Sequence, residues 1–474
     1  MVQHPEESKS RLRDAFLLCL LLFVLYNLNF RLVRIDDSVP SRLLPFSLLL
    51  NHSFYLDGWV DPYLAAAHGP YGTYFLQKSQ GHWMSTYPVI NSLVVVPFYA
   101  IPAWCLSRQH LDLSRGDLVA TAVVDVMEKL SASLLAALSV GVLYLALRRI
   151  APRSTSLLIS LIYGMASSTW SISSQALWRH GLTELSFAFL LWALLRRSAT
   201  AGYVFGAGFA LGLAAANKPA YAILVVFFFI YFAREQRRQL GYFCAPILVI
   251  SSLLLAYNLH YFGRLLGAYP SVIAPPVPGS ALNQYQPSTW NSLAGLLLSP
   301  NRGLLIYIPW VVFSLWGAAR IWKENTWNWG RYLLLGLAVV PLLHARFGSW
   351  WGGWSFGPRY LTDLLPFMAF FLVPVWPRIR ASRCLRVALA AAVVAAVWVQ
   401  IVGACYYPRG FWDGRPVSVD ADPRRLWDWS DTQISRSFRA GRAEPQLYYQ
   451  LWTLFDLRNH SPLATPSEKP SAKH

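Results

Sequence analysis

The sequence predicts an all-α polytopic membrane protein. It reads as a bundle of about 11–12 transmembrane helices with a large first outer loop and a polar C-terminal tail. Three observations lead there. Hydrophobic residues make up 55% of the 474-residue chain and charged residues only 14%, whereas a soluble globular chain carries about a quarter charged residues. Apolar runs recur along most of the chain. The 41 Lys and Arg outnumber the 23 Asp and Glu, giving a net charge of +18, and they fall in short clusters between the apolar runs, as in cytoplasmic loops. No basic stripe lies on a polar domain, so the charge does not point to nucleic acid. The five cysteines include no CxxC spacing, which suggests neither a zinc site nor a disulfide framework. Soluble-enzyme, disordered, collagenous and disulfide-stapled classes are excluded together.

Candidate spans run roughly 15–30, 87–106, 131–147, 155–174, 181–195, 202–216, 219–233, 240–258, 303–319, 331–345, 361–376 and 386–405. A crossing helix needs about 20 apolar residues, so several must extend past these limits. The first follows Lys9, Arg11 and Arg13 with no small-residue cleavage site behind it. It reads as a retained helix rather than a signal peptide. Basic clusters fall at 9–13, 148–153, 196–197, 234–238, 320–323 and 378–386. From 148 onward successive clusters are two apolar segments apart, so all five can be cytoplasmic. Three segments separate the N-terminal cluster from Arg148, which is the wrong parity. The segment 87–106 is therefore expected not to cross, because Pro88, Pro97 and Pro102 interrupt it.

That arrangement gives about eleven crossings with the N-terminus inside. Regions 31–130, 175–181, 259–302 and 346–360 then face outward. Residues 1–405 form the transmembrane domain, whose first outer loop is about 31–86 or 31–130, and 406–474 form an extracytoplasmic tail. The tail is polar, with ten Lys/Arg and eight Asp/Glu. It also holds Trp427, Trp429, Tyr448, Tyr449 and Trp452, so part of it is expected to fold. Its end, SPLATPSEKPSAKH, has a disordered composition.

The polar residues with chemical capacity collect in the outward regions. Asp36 and Asp37 follow the first apolar run by about one helical turn and should sit at the membrane face. Capping of a surface helix at Pro40 is the competing role for this pair. In QALWRHGLTE, His180 and Glu184 are spaced i, i+4 and share a helix face. An interfacial imidazole competes there with a group that faces a sugar or a metal. Lys218, in AAANKPAY, is an outward cation suited either to a lipid-linked phosphate or to headgroup snorkelling. Arg302 lies in LLLSPNRGLLIY at an outer helix start.

The densest segment is HARFGSWWGGWSFGPRYLTDLLP at 344–366. Arg346 and Arg359 there have the geometry to fork onto a phosphate. Trp351 and Trp354 offer faces for stacking on a sugar ring, and the glycines permit close backbone approach. An aromatic belt with snorkelling arginines is the alternative. Walker, HExxH, GxSxG and Gly-rich phosphate-loop motifs are absent from the sequence, which argues against an ATPase and a soluble nucleotide-sugar donor.

At these residues the sequence resembles the GT-C superfamily of polyprenyl-phosphate-sugar-dependent glycosyltransferases. It is most similar to the bacterial family 39-like branch, related to protein O-mannosyltransferases and the aminoarabinose transferase of lipid A. The likeness lies in the acidic pair Asp36 and Asp37 with Arg42 behind it, in STYPVINSL at 85–93, in NKPAY with Lys218, and in GPRYLTDLLP with Arg359, Tyr360 and Pro366. The chain departs from that pattern in having Asp-Asp where Asp-Glu is common, and TYP in place of a KPP-type signal.

The resemblance implies a GT-C type bundle in a bacterial cytoplasmic membrane, with its active site on the extracytoplasmic side. It implies an inverting transfer from a polyprenyl-phosphate sugar to a hydroxyl of a lipid, glycan or protein acceptor. Asp37, or else Asp36, would be the general base. Lys218, Arg302, Arg346 and Arg359 would be available to the phosphate, with Tyr360, His180, Glu184, Trp351 and Trp354 as further binding residues. No cofactor is required by the pattern, and a divalent metal on the phosphate is compatible with it. A transporter or lipid-linked sugar flippase is the alternative reading, and a non-catalytic membrane scaffold a third. The mid-helix positions read as nearly free of charge, with the polar groups collected on one face, which weighs against transport.

Overall fold

The computed structural model describes residues 5–61, 64, 74–110, 117–196, 200–270, 287–408 and 410–459. The C-terminal SPLATPSEKPSAKH segment, Arg197 and parts of the two longest loops lie outside the described residues.

The chain is mostly helical. It opens with α1 (Pro5–Asn27), a single turn at Asp36–Ser38 and α2 (Val39–Leu50). A hairpin follows, β1 (Leu76–Ser79) and β2 (His82–Ser85), paired antiparallel with Leu76 opposite Ser85 and Ser79 opposite His82. Gln80 and Gly81, at φ 53° and 86°, make its two-residue turn. Then come α3 (Ile90–Arg108), α4 (Leu118–Leu147), α5 (Arg153–Met165), a π-turn at Thr169–Ser173, and α6 (Arg179–Leu194). Next are α7 (Ala201–Asn217), α8 (Ala222–Glu235) and α9 (Leu240–Phe262). The second half continues with α10 (Thr289–Leu298), α11 (Leu304–Tyr307), α12 (Val311–Glu324), α13 (Gly330–Ala345), a 3-10 segment at Arg359–Leu364, α14 (Leu365–Phe371), α15 (Trp376–Ala381) and α16 (Arg383–Ile401). The tail adds α17 (Gln433–Arg439) and α18 (Gln446–Asn459).

Five helical stretches among the described residues are long and apolar enough to cross a membrane: Ile90–Arg108, Leu118–Leu147, Arg237–Phe262, Arg359–Ala381 and Arg383–Tyr406. Two differ from the sequence reading. α3 runs unbroken through Pro97 and Pro102. Proline removes one backbone bond without breaking a helix that its neighbours hold, and α2 packs along this one. α4 begins at Leu118, far ahead of the expected 131, because Asp125, Glu128 and Lys129 depress the hydropathy of a buried helical stretch. The apparent scarcity of mid-helix charge is corrected with it.

Packing brings the helix ends together. α4 lies against α1 and α6, α6 against α7, and α7 against α9. Gly208 permits the last contact, since a Cβ there would run into the carbonyl of Phe243. The tail is seated on the bundle. Leu447 of α18 packs with Leu32 and Val126, and Ser299 Oγ donates to the Leu426 carbonyl at 2.6 Å.

Candidate active site

Asp37 enters on the short turn after α1. The turn is braced from α4, where Arg42 pairs with Glu128 at 2.5 Å and with Asp125 at 3.4 Å, while Arg34 reaches Asp125 at 2.6 Å. The hairpin supplies two phenols. Tyr74 precedes β1 and Tyr87 follows β2, and Thr86 ties these flanks together through Phe75 and Tyr74. Both phenols then donate to Asp37 Oδ1, Tyr74 at 2.6 Å and Tyr87 at 2.8 Å. Asp37 Oδ2 takes an ion pair from Arg359. Burial pushes the Asp37 carboxyl up, but the Arg359 charge and the three hydrogen bonds outweigh it and hold the group well below the usual carboxylate range. The Tyr74 and Tyr87 hydroxyls are pushed up by burial and by the Asp37 charge.

Arg359 is the hub. Its guanidinium lies over Trp178 at 4.5 Å. It donates to the Gly352 carbonyl at 3.0 Å and points Nε at His180 Nε2, 3.4 Å away. Gly352 and Gly353 take φ of 77° and 70°. That left-handed backbone folds the glycine loop back under Arg359, and it is why two glycines stand there.

Behind the hub is a second acid, Asp363. Its Oδ1 lies 2.7 Å from His180 Nδ1, and its Oδ2 accepts from Lys218 at 2.6 Å and from Tyr221 at 2.5 Å. These partners assign the His180 proton to Nδ1, facing the carboxylate and leaving Nε2 as acceptor for Arg359. Lys218 Nζ also lies 2.8 Å from His180 Nδ1. With the proton on that nitrogen, the Asp363 bond fixes Lys218. Lys218 itself sits at the junction of α7 and the Pro219–Tyr221 turn. Burial pushes its ammonium down to about 8, Asp363 opposes this, and the Arg179 and Arg359 charges add to it. Arg179 completes the group, stacked over Tyr87 at 4.7 Å and Tyr269 at 5.3 Å.

The arrangement is a connected line of polar groups, Asp37–Arg359–His180–Asp363–Lys218, at one set of helix ends. Three cations (Arg179, Lys218, Arg359) lie beside the engaged carboxylates Asp37 and Asp363. Asp36 is exposed one residue before Asp37. Among the described residues no group of three or more His, Cys, Asp and Glu suited to a metal occurs. Both Asp37 oxygens are already taken by phenols and a guanidinium. The described residues around Asp37 do not form a metal-ligand set.

Of the sequence-predicted residues, the structure brings together Asp37, His180, Lys218 and Arg359. Tyr360 lies alongside, stacked on His344 at 4.8 Å. The others lie elsewhere. Glu184 shares the His180 helix, but its carboxylate accepts from Ser173, Tyr163 and Thr169 at 2.8, 3.2 and 3.3 Å and holds the π-turn. Arg346 is exposed at the end of α13. Arg302 is 1% exposed and consumed by Asp413 at 2.7 Å, Gln433 at 2.9 Å and the carbonyls of Asn301, Trp351 and Gly353. Trp351 and Trp354 both donate to Asp420 of the tail, at 3.0 and 2.9 Å.

These last three residues dock the tail against the glycine loop instead of facing the acid. Gln433 extends that docking by bonding Gly357 N and the Ser355 carbonyl, just ahead of Arg359. Asp363, Tyr74, Tyr87, Trp178 and Arg179 are not among the sequence-predicted site residues. Asp363 stands inside GPRYLTDLLP, where an acid entering an apolar run is the available signal.

No family model matches the chain, and no curated protein matches it. A solved structure, the crystal structure of the Archaeoglobus fulgidus oligosaccharyltransferase in complex with zinc and sulfate, aligns over 97% of this chain with 15% identity and a TM-score of 0.49. The chain spans 59% of that chain's length.

Proposed function

We propose that the protein is an integral membrane glycosyltransferase that moves a sugar from a polyprenyl-phosphate donor to an acceptor hydroxyl with inversion. One observation carries the reading. A carboxylate from the first loop, Asp37, pairs with Arg359 from late in the chain, and Lys218 from a third part joins them through His180 and Asp363. The order of these residues along the chain is also what makes it resemble the GT-C enzymes.

In the proposed reaction the acceptor oxygen attacks the anomeric carbon. The bond from that carbon to the phosphate oxygen breaks, and its electron pair leaves with the lipid phosphate. Asp37 takes the proton of the acceptor hydroxyl, which requires an approach of about 2.6–3.2 Å. Arg359 and Lys218 take up the charge that develops on the phosphate. Arg359 thus has two anionic partners in sequence. Drawn toward the donor phosphate, it loosens its hold on Asp37 and leaves that carboxylate more basic as the acceptor arrives. His180 and Asp363 position the two cations without touching the reacting atoms.

The test is sugar transfer by purified protein in lipid nanodiscs, with polyprenyl-phosphate hexoses as donors. Asp37→Asn is expected to lower transfer by about 10²–10⁴-fold, measured well below its melting temperature, which should drop because Arg359 loses its partner. Wild-type turnover by both Asp37→Asn and Asp36→Asn would remove the acidic pair as the base.

A further inference from the structure

We propose that His344 is a sugar-contacting residue, holding a hydroxyl of the donor's glycosyl unit. The inference rests on the glycosyltransferase reading and adds to it the group that recognises the sugar.

His344 stands in the last turn of α13, and that helix packs against both the Pro219–Tyr221 turn and the Arg359–Leu364 segment. It lies within electrostatic range of Lys218 and Asp363. The residue is 8% exposed, yet neither ring nitrogen has a hydrogen-bond partner among the described residues. One face stacks on Tyr360 at 4.8 Å with 6° between the planes, and Phe347 packs against the ring at 5.5 Å. The aromatic neighbours orient the ring, and both nitrogens sit at its edge. A buried imidazole without a partner is a standing cost that no resting contact offsets, and such costs concentrate where a ligand completes the bonding.

The neighbouring charged groups have little capacity left. The Asp363 oxygens are taken by His180, Lys218 and Tyr221, and those of Asp37 by Tyr74, Tyr87 and Arg359. Spare capacity near the cluster is found at His344, at Trp178 Nε1 and at Asn217 Oδ1, all buried and unpartnered. A neutral imidazole brings one donor and one acceptor, the indole a donor and the amide oxygen an acceptor. Phosphate oxygens only accept, and Arg359 and Lys218 already suit them. A mixed set of donors and acceptors matches hydroxyl groups, which both give and take hydrogen bonds. The aromatic ring of Tyr360 beside it suits the apolar face of a sugar.

The experiment compares the full-length wild type with His344→Phe and His344→Gln in nanodiscs. It measures melting temperature and binding of polyprenyl phosphate carrying glucose, mannose or galactose, and of polyprenyl phosphate without a sugar. Phenylalanine keeps the stacking and removes the two unpartnered nitrogens. His344→Phe should melt at or above the wild-type temperature and bind the bare lipid phosphate unchanged. Its affinity for the best-bound hexosyl lipid should fall roughly tenfold, and His344→Gln, which offers a donor and an acceptor, should recover part of that loss. Three results would overturn the proposal: unchanged hexosyl-lipid affinity in His344→Phe, an equal loss on both lipids, or a wild type that binds no hexosyl lipid better than the bare one. A lower melting temperature with unchanged lipid preference would mark His344 as a packing residue. Failure of the wild type to bind either lipid strikes the glycosyltransferase reading itself and takes this proposal with it.

Discussion

Arg359 closes an ion pair on Asp37, a residue 322 positions earlier in the chain, and so joins the first loop to the late glycine-rich loop. The pair has a direct consequence for pH. Asp37 is held below the usual carboxylate range, so it stays ionised from neutral pH down through the range where free carboxylates titrate. Its contribution to stability is full above the unfolded value of about 3.9 and is lost only as the pH falls through the lower folded value. The pH profile of kcat/KM should therefore lack an acid limb near pH 4–5 from this group. Arg359→Gln removes the strongest lowering influence and leaves burial dominant. An acid limb should then appear at higher pH, measured by transfer rates between pH 4 and 8.

Lys218 should produce the opposite limb. Its ammonium is pushed down to about 8, so the cation needed for the phosphate is lost as pH rises through that value. Donor affinity should fall on the alkaline side in the wild type. In Lys218→Arg the charge persists and the fall should vanish, even if the altered geometry lowers binding at every pH. Donor titrations at pH 7 and pH 9 check this.

Arg302 and Asp413 are 1% and 0% exposed by side chain and form a buried pair that links the helix-start loop to the tail. Removing one partner leaves a buried charge uncompensated, at a cost of about 3–5 kcal/mol. Asp413→Ala should therefore lower the melting temperature clearly. Activity measured well below that temperature should also drop, because Gln433 and the Arg302 contacts hold the loop that carries Arg359.

The brace under the first loop gives a parallel expectation. Arg42 is buried against Glu128 and Asp125. Arg42→Met should destabilise by about 3–5 kcal/mol, followed by thermal unfolding. The double variant Arg42→Met with Glu128→Met should recover part of that loss, because it removes the orphaned carboxylate.

The sequence made these sites legible to different degrees, for physical reasons. Asp37, Lys218 and Arg359 stand out because a charge at the end of an apolar run is costly unless something holds it, and His180 because it shares a helix face with Glu184. The same charge signal picks Arg302, and the stacking capacity of indoles picks Trp351 and Trp354, but their partners are Asp413 and Asp420 in the tail. Sequence alone carries no information on where a polar tail docks. Tyr74 and Tyr87 are ordinary aromatics until the hairpin between them brings both onto Asp37. The helix 118–147 was shortened in the reading because Asp125, Glu128 and Lys129 look solvent-facing. They are buried because Arg34, Arg42 and Gln175 answer them. The prolines of 87–106 suggested an interruption, yet the helix there is continuous.

The most direct test of the central claim is a cryo-electron microscopy structure of the protein with polyprenyl phosphate bound. The account predicts phosphate density within hydrogen-bond distance of both Arg359 and Lys218, with the Asp37 carboxylate released from Arg359 and facing the same space. Phosphate bound away from these two cations, with the Asp37–Arg359 pair still closed, would contradict it.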